Sequence, residues 1–397
     1  MERLYTWSYQ RIQRTSTTFK RYLFSQLDWD AQLNVIIGMR GVGKTTMMLQ
    51  YAKEKLPLDE RTIYISMDDI YFSSNSLIDF VEEFHKRNGK FILIDEVQKY
   101  DNWSREVKMI YDNFPELKMV ISGSSAIEIL KGEGDLSRRA IINRMQGMSF
   151  REFIELRYKQ HFTSFTLDEV LTKPLEKVFP ITSTIKPIKL FEEYLRIGYY
   201  PFSVGDEKNF NQRMMQVLNT IIETDIPAIN KIDYNAVLKM KKLLAIIAES
   251  VPFKPNVKKL AEQLSLSRDT LLKYFQLLTK ADVISLLYSA TKGVSALNKP
   301  EKIYLNNPNL AFLFANTATN IGNLRETFFL NQIQHLFKVE YPDKGDFIVD
   351  GKHTFEVGGK NKTAKQIAVL ANAYIVADNI ELPVGNKIPL WMFGFLY

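Results

Sequence analysis

Four short apolar runs punctuate the first 125 residues: "NVIIG" (34–38), "RTIYISMDD" (61–69), "KFILIDE" (90–96) and "LKMVISGSS" (117–125). Each has strand length and ends in polar residues or glycine, the pattern of buried strands. Amphipathic stretches of helical length lie between them, at 44–56, 76–89 and 103–114. Strands alternating with such helices predict parallel pairing through right-handed crossovers, hence an open α/β sheet. From about residue 150 the pattern turns helical and aromatic, as in "MSFREFIELRYKQHF", and strand runs cease until about residue 282. Residues 166–190 hold three prolines and read as loops between helices. Residues 236–287 read as three helices and a strand, and the last eighty return to mixed α/β, with short strands near 337–341, 346–350 and 353–357.

Composition sharpens this picture only a little. A chain of 397 residues suggests two or three domains, and 46% hydrophobic with 24% charged residues is that of a folded globular protein. No run approaches the roughly 18 apolar residues needed to cross a bilayer. The N-terminal "MERLYTWSYQRIQRTSTTFKRY" lacks the apolar core of a signal peptide. The absence of cysteine excludes disulfides and thiolate metal sites. These features lead us to expect a cytoplasmic protein without a membrane partner. A net charge of +7 and a pI near 9.1 admit nucleic acid as a partner without requiring it.

The strongest chemical signal is "GMRGVGKTT" (38–46), which follows a strand and opens a helix. Gly38, Gly41 and Gly43 let the backbone of Met39, Arg40 and Val42 wrap with its N–H groups inward, and a helix N-terminus beginning at Lys44, Thr45 and Thr46 favours phosphate. Lys44 reaches the β and γ oxygens, and the Thr45 hydroxyl is a ligand for Mg²⁺. The strand "FILIDE" (91–96) ends in two acids: Asp95 holds the magnesium and Glu96 orients the attacking water. A glutamate directly after the metal-holding aspartate favours hydrolysis over transfer to a small acceptor, with ATP the expected nucleotide. In "SGSS" (122–125), Ser122 or Ser124 either touches the γ-phosphate or simply ends a strand. Arg138 and Arg139 follow a flexible "KGEG". An arginine there either neutralises charge on the transferred phosphoryl group, in the same subunit or across an interface, or is a surface ion-pair partner.

Together "GMRGVGKTT", "IDEVQKYDNW", "VISGSSAIEI", "DLSRRA" and "MSFREF" resemble a prokaryotic family of AAA-type ATPases that carry a C-terminal region long labelled a domain of unknown function. The later segments "FEEYLRIGYYP", "ETDIPAI", "KPEKIYLNNPNL" and "GNLRETFFLNQI" extend the resemblance over nearly the whole chain. It implies four parts: a P-loop ATPase domain over 1–150, a helical lid or linker over 151–235, a winged helix over 236–315, and a restriction-endonuclease-like α/β domain over 316–397. The family's arginine falls on Arg139, with Arg138 where a glycine usually lies.

Two C-terminal features bear on function. "NVKKLAEQLSLSRDTLLKYFQLLTKADVISLL" (256–287) has helix-turn-helix spacing, with Leu260, Ala261 and Leu264 inward on the first helix, Ser267 as N-cap, and Leu271, Phe275 and Leu278 inward on the second. The second helix presents Arg268 and Lys273 as candidate DNA contacts, a weak footprint equally suited to a packing or dimerising element. "HTFEVGGKNK" (353–362) resembles the acid-x-lysine strand of metal-dependent nucleases. Glu326, Asp346 and Glu356 fall on the acidic positions, but Gly358 stands where the lysine belongs. Lys360 shares the face of Glu356 yet lies one residue pair, roughly 6.5 Å, too far along. The expectation is a degenerate nuclease-like domain attached to an ATPase that drives or gates a conformational change, acting on DNA. The alternative is a slow nucleotide-gated switch that binds a protein partner.

Overall fold

The computed structural model describes all residues except 124–135, 137, 228–231, 250–251, 291–298 and 315–320. The chain divides into two compact units, Met1–Gly147 and Met148–Tyr397.

In the N-terminal unit the elements that matter are α1 (Glu2–Arg14), β1 (Leu33–Ile37), α2 (Lys44–Lys55), β2 (Thr62–Ser66), α3 (Leu77–Lys86), β3 (Phe91–Asp95), α4 (Trp103–Asn113), β4 (Lys118–Gly123) and β5 (Ile141–Arg144). The sheet order is β2-β3-β4-β1-β5, with every pairing parallel. Strands covered on both faces must be apolar throughout, and β1 is buried at all five positions. The expected open α/β sheet with parallel strands is therefore present. Two elements escaped the sequence pattern. The edge strand β5, "IINR", is largely uncovered and so carries no continuous apolar run. Helix α1 buries Leu4, Ser8 and Ile12, and the Ser8 hydroxyl accepts the Tyr64 N–H at 2.8 Å, fixing the helix to β2.

In the C-terminal unit the useful elements are α5 (Phe150–Tyr158), α6 (Tyr234–Glu249), α7 (Val257–Gln263), α8 (Arg268–Lys280), β6 (Ile284–Leu287), β7 (Lys302–Leu305), α9 (Ile321–Ile333), β8 (Val339–Glu340), β9 (Phe347–Val349), β10 (His353–Gly358), β11 (Ala373–Ala377) and β12 (Lys387–Pro389). A second five-stranded sheet runs β12-β11-β10-β9-β8, and β6 pairs with β7 as a separate antiparallel ribbon. The stretch expected as proline-rich loops is mostly helical: Leu167–Thr172, Pro174–Thr182 and Pro187–Glu193. Pro174 and Pro187 stand at the first helical turn, where the missing N–H costs no bond. Ser149 and Glu152 cap α5 reciprocally, and the Ser149 hydroxyl also donates to the Tyr397 carbonyl at 2.8 Å. Phe150 then packs edge-on against Phe395 and Tyr194 edge-on against Phe328, with Phe150 and Tyr194 tilted against each other. Leu260, Ala261, Leu264, Leu271, Phe275 and Leu278 are all buried. The Ser267 side chain accepts the Thr270 N–H at 3.1 Å.

Candidate functional site

The carboxyl ends of β1 and β3 meet at the phosphate loop. Gly41 (φ +82°) and Gly43 (φ +102°) take left-handed backbone that side chains avoid. At Gly38 (φ +155°) a Cβ would run into the Met145 carbonyl oxygen. Met39 and Val42 are buried beneath the loop, while Gly41 and Thr46 are exposed. The Lys44 ammonium, 5% exposed, donates to the carbonyls of Gly38 and Met39 at 2.7 and 2.9 Å. Buried Arg21 braces the loop from below, donating to the Val42 carbonyl and to the Gln146 carbonyl, the latter at 2.8 Å.

Around Asp95 the hydrogen bonds converge. Its Oδ2 accepts the Thr45 hydroxyl at 2.7 Å and the Tyr64 hydroxyl at 2.8 Å. Its Oδ1 accepts the Ser122 hydroxyl and the Glu96 N–H. The carboxylate is thereby held in one orientation beside the first turn of α2. Thr45 with Asp95 is the oxygen donor pair that suits Mg²⁺. Tyr64 accepts from Arg11 at 3.2 Å. Burial and the neighbouring Asp95 carboxylate push its phenol up, so it remains a donor. Neither Tyr64 nor Arg21 was singled out from the sequence. Each lies outside both motifs: strand pairing brings Tyr64 to Asp95, and the fold of the segment after α1 brings Arg21 under the loop.

Glu96 follows with a left-handed backbone, φ 53°, which turns its carboxylate away from the strand direction. Its Oε2 accepts from Gln98 at 2.6 Å and from Arg40 of the phosphate loop at 3.4 Å. A cavity of about 550 Å³ opens here, with Thr45, Asp95 and Glu96 on one side and Arg3, Trp7 and Arg11 of α1 on another.

Other expected residues are placed differently. Ser124 lies outside the described residues. Arg139 makes a two-pronged pair with Asp112 of α4, at 2.8 and 2.9 Å, and Arg138 is exposed. The guanidinium holds the Asp112 carboxyl below its usual range. Arg268 and Lys273 are exposed on α8.

The lysine assignment in the C-terminal sheet is corrected. Strand β10 ends at Gly358, so the face shared by 356, 358 and 360 does not continue, and Lys360 is exposed. Lys362 takes the place instead: its ammonium meets Glu356 Oε1 at 2.6 Å. Gly358 makes this possible, since a Cβ there would lie 2.7 Å from the Lys362 stem. Lys302 of β7, which sequence reasoning missed, bonds both Glu326 and Asp346. Among the described residues no group of three or more His, Cys, Asp or Glu side chains is placed to hold a metal ion, and the ammonium of Lys302 stands between Glu326 and Asp346.

The match to a family model agrees with the N-terminal geometry. Residues 30–154 match a family model described as an AAA domain, and residues 188–320 match a domain of unknown function, DUF8612. Two relatives from Methanocaldococcus jannaschii are similar along most of their length. The uncharacterized protein MJ1637 is 27% identical over 92% of this chain and 84% of its own, and MJ1544 is 22% identical over 86% and 75%. Among solved structures, the Walker-type ATPase PABY2304 of Pyrococcus abyssi aligns over 75% of this chain and 95% of its own with 13% identity and a TM-score of 0.43. DnaA from Aquifex aeolicus, bound to AMPPCP, aligns over 70% and 88% with 16% identity and a TM-score of 0.27. The N-terminal unit has the AAA-type P-loop fold, and the matched AAA model spans its phosphate loop and its paired acids.

Proposed function

We propose that the protein binds Mg²⁺-ATP at Gly38–Thr46 and hydrolyses it, using turnover to drive or gate a conformational change that acts on DNA. The observation that carries this reading is the convergence of Thr45, Tyr64 and Ser122 on Asp95 beside the buried ammonium of Lys44. Lys44 lies on carbonyls that a nucleotide phosphate replaces as its partner, so the loop exchanges one set of oxygens for another. Thr45 and Asp95 would hold the metal, whose chemistry is to neutralise charge on the β- and γ-phosphates. Glu96 orients water toward the γ-phosphorus. The new P–O bond forms as the bond to the β-phosphate oxygen breaks, leaving ADP and phosphate. Arg139, once released from Asp112, is the arginine that meets the developing charge.

One observation favours the slower, switch-like reading. Glu96 is engaged by Gln98 and by Arg40, so the water-orienting carboxylate must leave a charged partner before each turnover. The test is the ATP hydrolysis rate of the purified protein with and without duplex DNA, at two salt concentrations, with the DNA run on a gel. A rate raised by DNA and lost with salt supports action on DNA. A slow rate indifferent to DNA, raised by Arg40→Ala, supports the switch. No turnover and no nucleotide binding by wild-type protein defeats both.

A further inference from the structure

Lys302, the first residue of β7, is only 4% exposed. Its ammonium donates to Glu326 Oε2 at 2.9 Å and to Asp346 Oδ1 at 3.3 Å. The rings of Tyr341 and Phe347 lie 5.2 and 6.0 Å from it. Both carboxylates are also fixed from behind. The Tyr304 hydroxyl donates to Glu326 Oε2 at 2.7 Å, and the Val357 N–H donates to Asp346 Oδ2 at 3.0 Å. Burial and the Asp346 charge push the Glu326 carboxyl above its ordinary range. Burial works against the Lys302 ammonium, yet the two acids together hold its pKa above the usual lysine value. The arrangement is two acids from different elements, oriented by outer hydrogen bonds, converging on one cation. It is built as metal sites are built.

A second observation is independent of that pair. Glu356 is 1% exposed, and its Oε2 has no hydrogen-bond partner, although Oε1 pairs with Lys362. Asp346 brackets Glu356 along the backbone, its N–H on the Phe355 carbonyl at 2.9 Å and its carboxylate on the Val357 N–H. Buried polar atoms without partners are uncommon and call for a ligand or a reason. Here the unsatisfied group is a carboxylate oxygen set next to a carboxylate that already holds a cation.

We propose that the Lys302 ammonium occupies the cation position of a hard-metal site formed by Glu326 and Asp346 next to Glu356. The native domain thus carries a covalently tethered +1 charge where Mg²⁺ or Mn²⁺ would otherwise sit. The tether gives the ammonium a high effective concentration against any free ion. Removing it leaves the part-buried carboxylates of Glu326 and Asp346 without compensation, which proton uptake or a divalent cation must supply. It follows that the intact domain has no bound metal at these acids and does not cleave phosphodiesters by metal-activated water.

The test is Mn²⁺ binding to the full chain, followed by electron paramagnetic resonance and by thermal unfolding. Every sample carries Asp95→Asn, so that an ion at the phosphate loop is not counted. Lys302→Met is expected to bind about one more Mn²⁺ per chain than its parent, and Mn²⁺ is expected to raise its Tm. Adding Asp346→Asn should remove both gains. The proposal is overturned if Lys302→Met binds no more Mn²⁺ than the parent. It is equally overturned if the parent, with Lys302 in place, binds an ion that Asp346→Asn abolishes. Should Lys302→Met aggregate on purification, Mn²⁺ in the buffer should restore soluble protein, and aggregation that Mn²⁺ does not relieve counts against the site.

Discussion

Tyr64→Phe isolates one hydrogen bond at Asp95, the acid proposed to hold the metal. The side chain is 4% exposed, and phenylalanine keeps the ring, so no cavity forms. What is lost is the O–H that donates to Asp95 Oδ2 at 2.8 Å. A bond to a charged acceptor is worth about 1.5–3 kcal/mol. Thr45 donates to the same oxygen, but on the proposed reading that hydroxyl turns to the metal, which leaves Tyr64 as the donor that keeps Asp95 aimed. Loss of such an outer bond costs about 10–100-fold in metal affinity. The half-saturating Mg²⁺ concentration for ATP hydrolysis should therefore rise about tenfold, while nucleotide affinity measured in EDTA stays unchanged. Arg11→Ala is the control, because it removes a donor to Tyr64 and leaves the Tyr64–Asp95 bond. A folded Tyr64→Phe protein whose Mg²⁺ dependence overlays that of wild type would refute the reasoning.

Further outcomes follow from the same geometry. Lys44→Ala should abolish nucleotide binding or turnover in an ATP-binding assay, and Glu96→Gln should bind ATP while hydrolysis falls by at least about 100-fold. Arg139→Ala should lower kcat without weakening ATP binding; if Arg138→Ala does so instead, the charge-neutralising arginine is its neighbour. Lys362→Ala leaves the buried Glu356 without its cation and should cost about 3 kcal/mol in urea unfolding, because an uncompensated charge remains inside. His335 packs edge-on against Tyr397 at 4.4 Å, and burial holds its pKa down to about 4, against an ordinary 6.5. The unfolded chain therefore binds the extra proton first. The His335 contribution to stability is complete above about pH 6.5 and is lost as pH falls toward about 4, in total about 3 kcal/mol. His335→Phe should flatten unfolding free energy over that window.

What was legible in the sequence was local. The phosphate loop needs glycine, lysine and threonine at fixed offsets, because one turn and one helix start form the cradle. Asp95 and Glu96 announce themselves at the end of an apolar strand for the same reason. Buried strands and inward helix faces also follow from periodicity, since each element sees one environment along its own length. The uncovered edge strand β5 showed no such signal. The prolines at 174 and 187 marked helix starts rather than loops, a distinction set by which N–H groups lack partners in any case. The contacts that tune the sites were decided elsewhere. Tyr64 reaches Asp95 because β2 pairs with β3, 31 residues away in sequence. Arg21 joins the Val42 carbonyl of the phosphate loop to the Gln146 carbonyl, which lies 125 residues on from Arg21 itself. Lys302 meets Asp346 across 44 residues. Lys362, not Lys360, reaches Glu356, because the strand ends at Gly358 and a glycine leaves space for a lysine stem to lie across it. Motif spacing is set by the geometry of a single turn or strand and can be read along the chain. Charge pairing inside the folded protein is set by which elements lie side by side, and only the tertiary structure decides that.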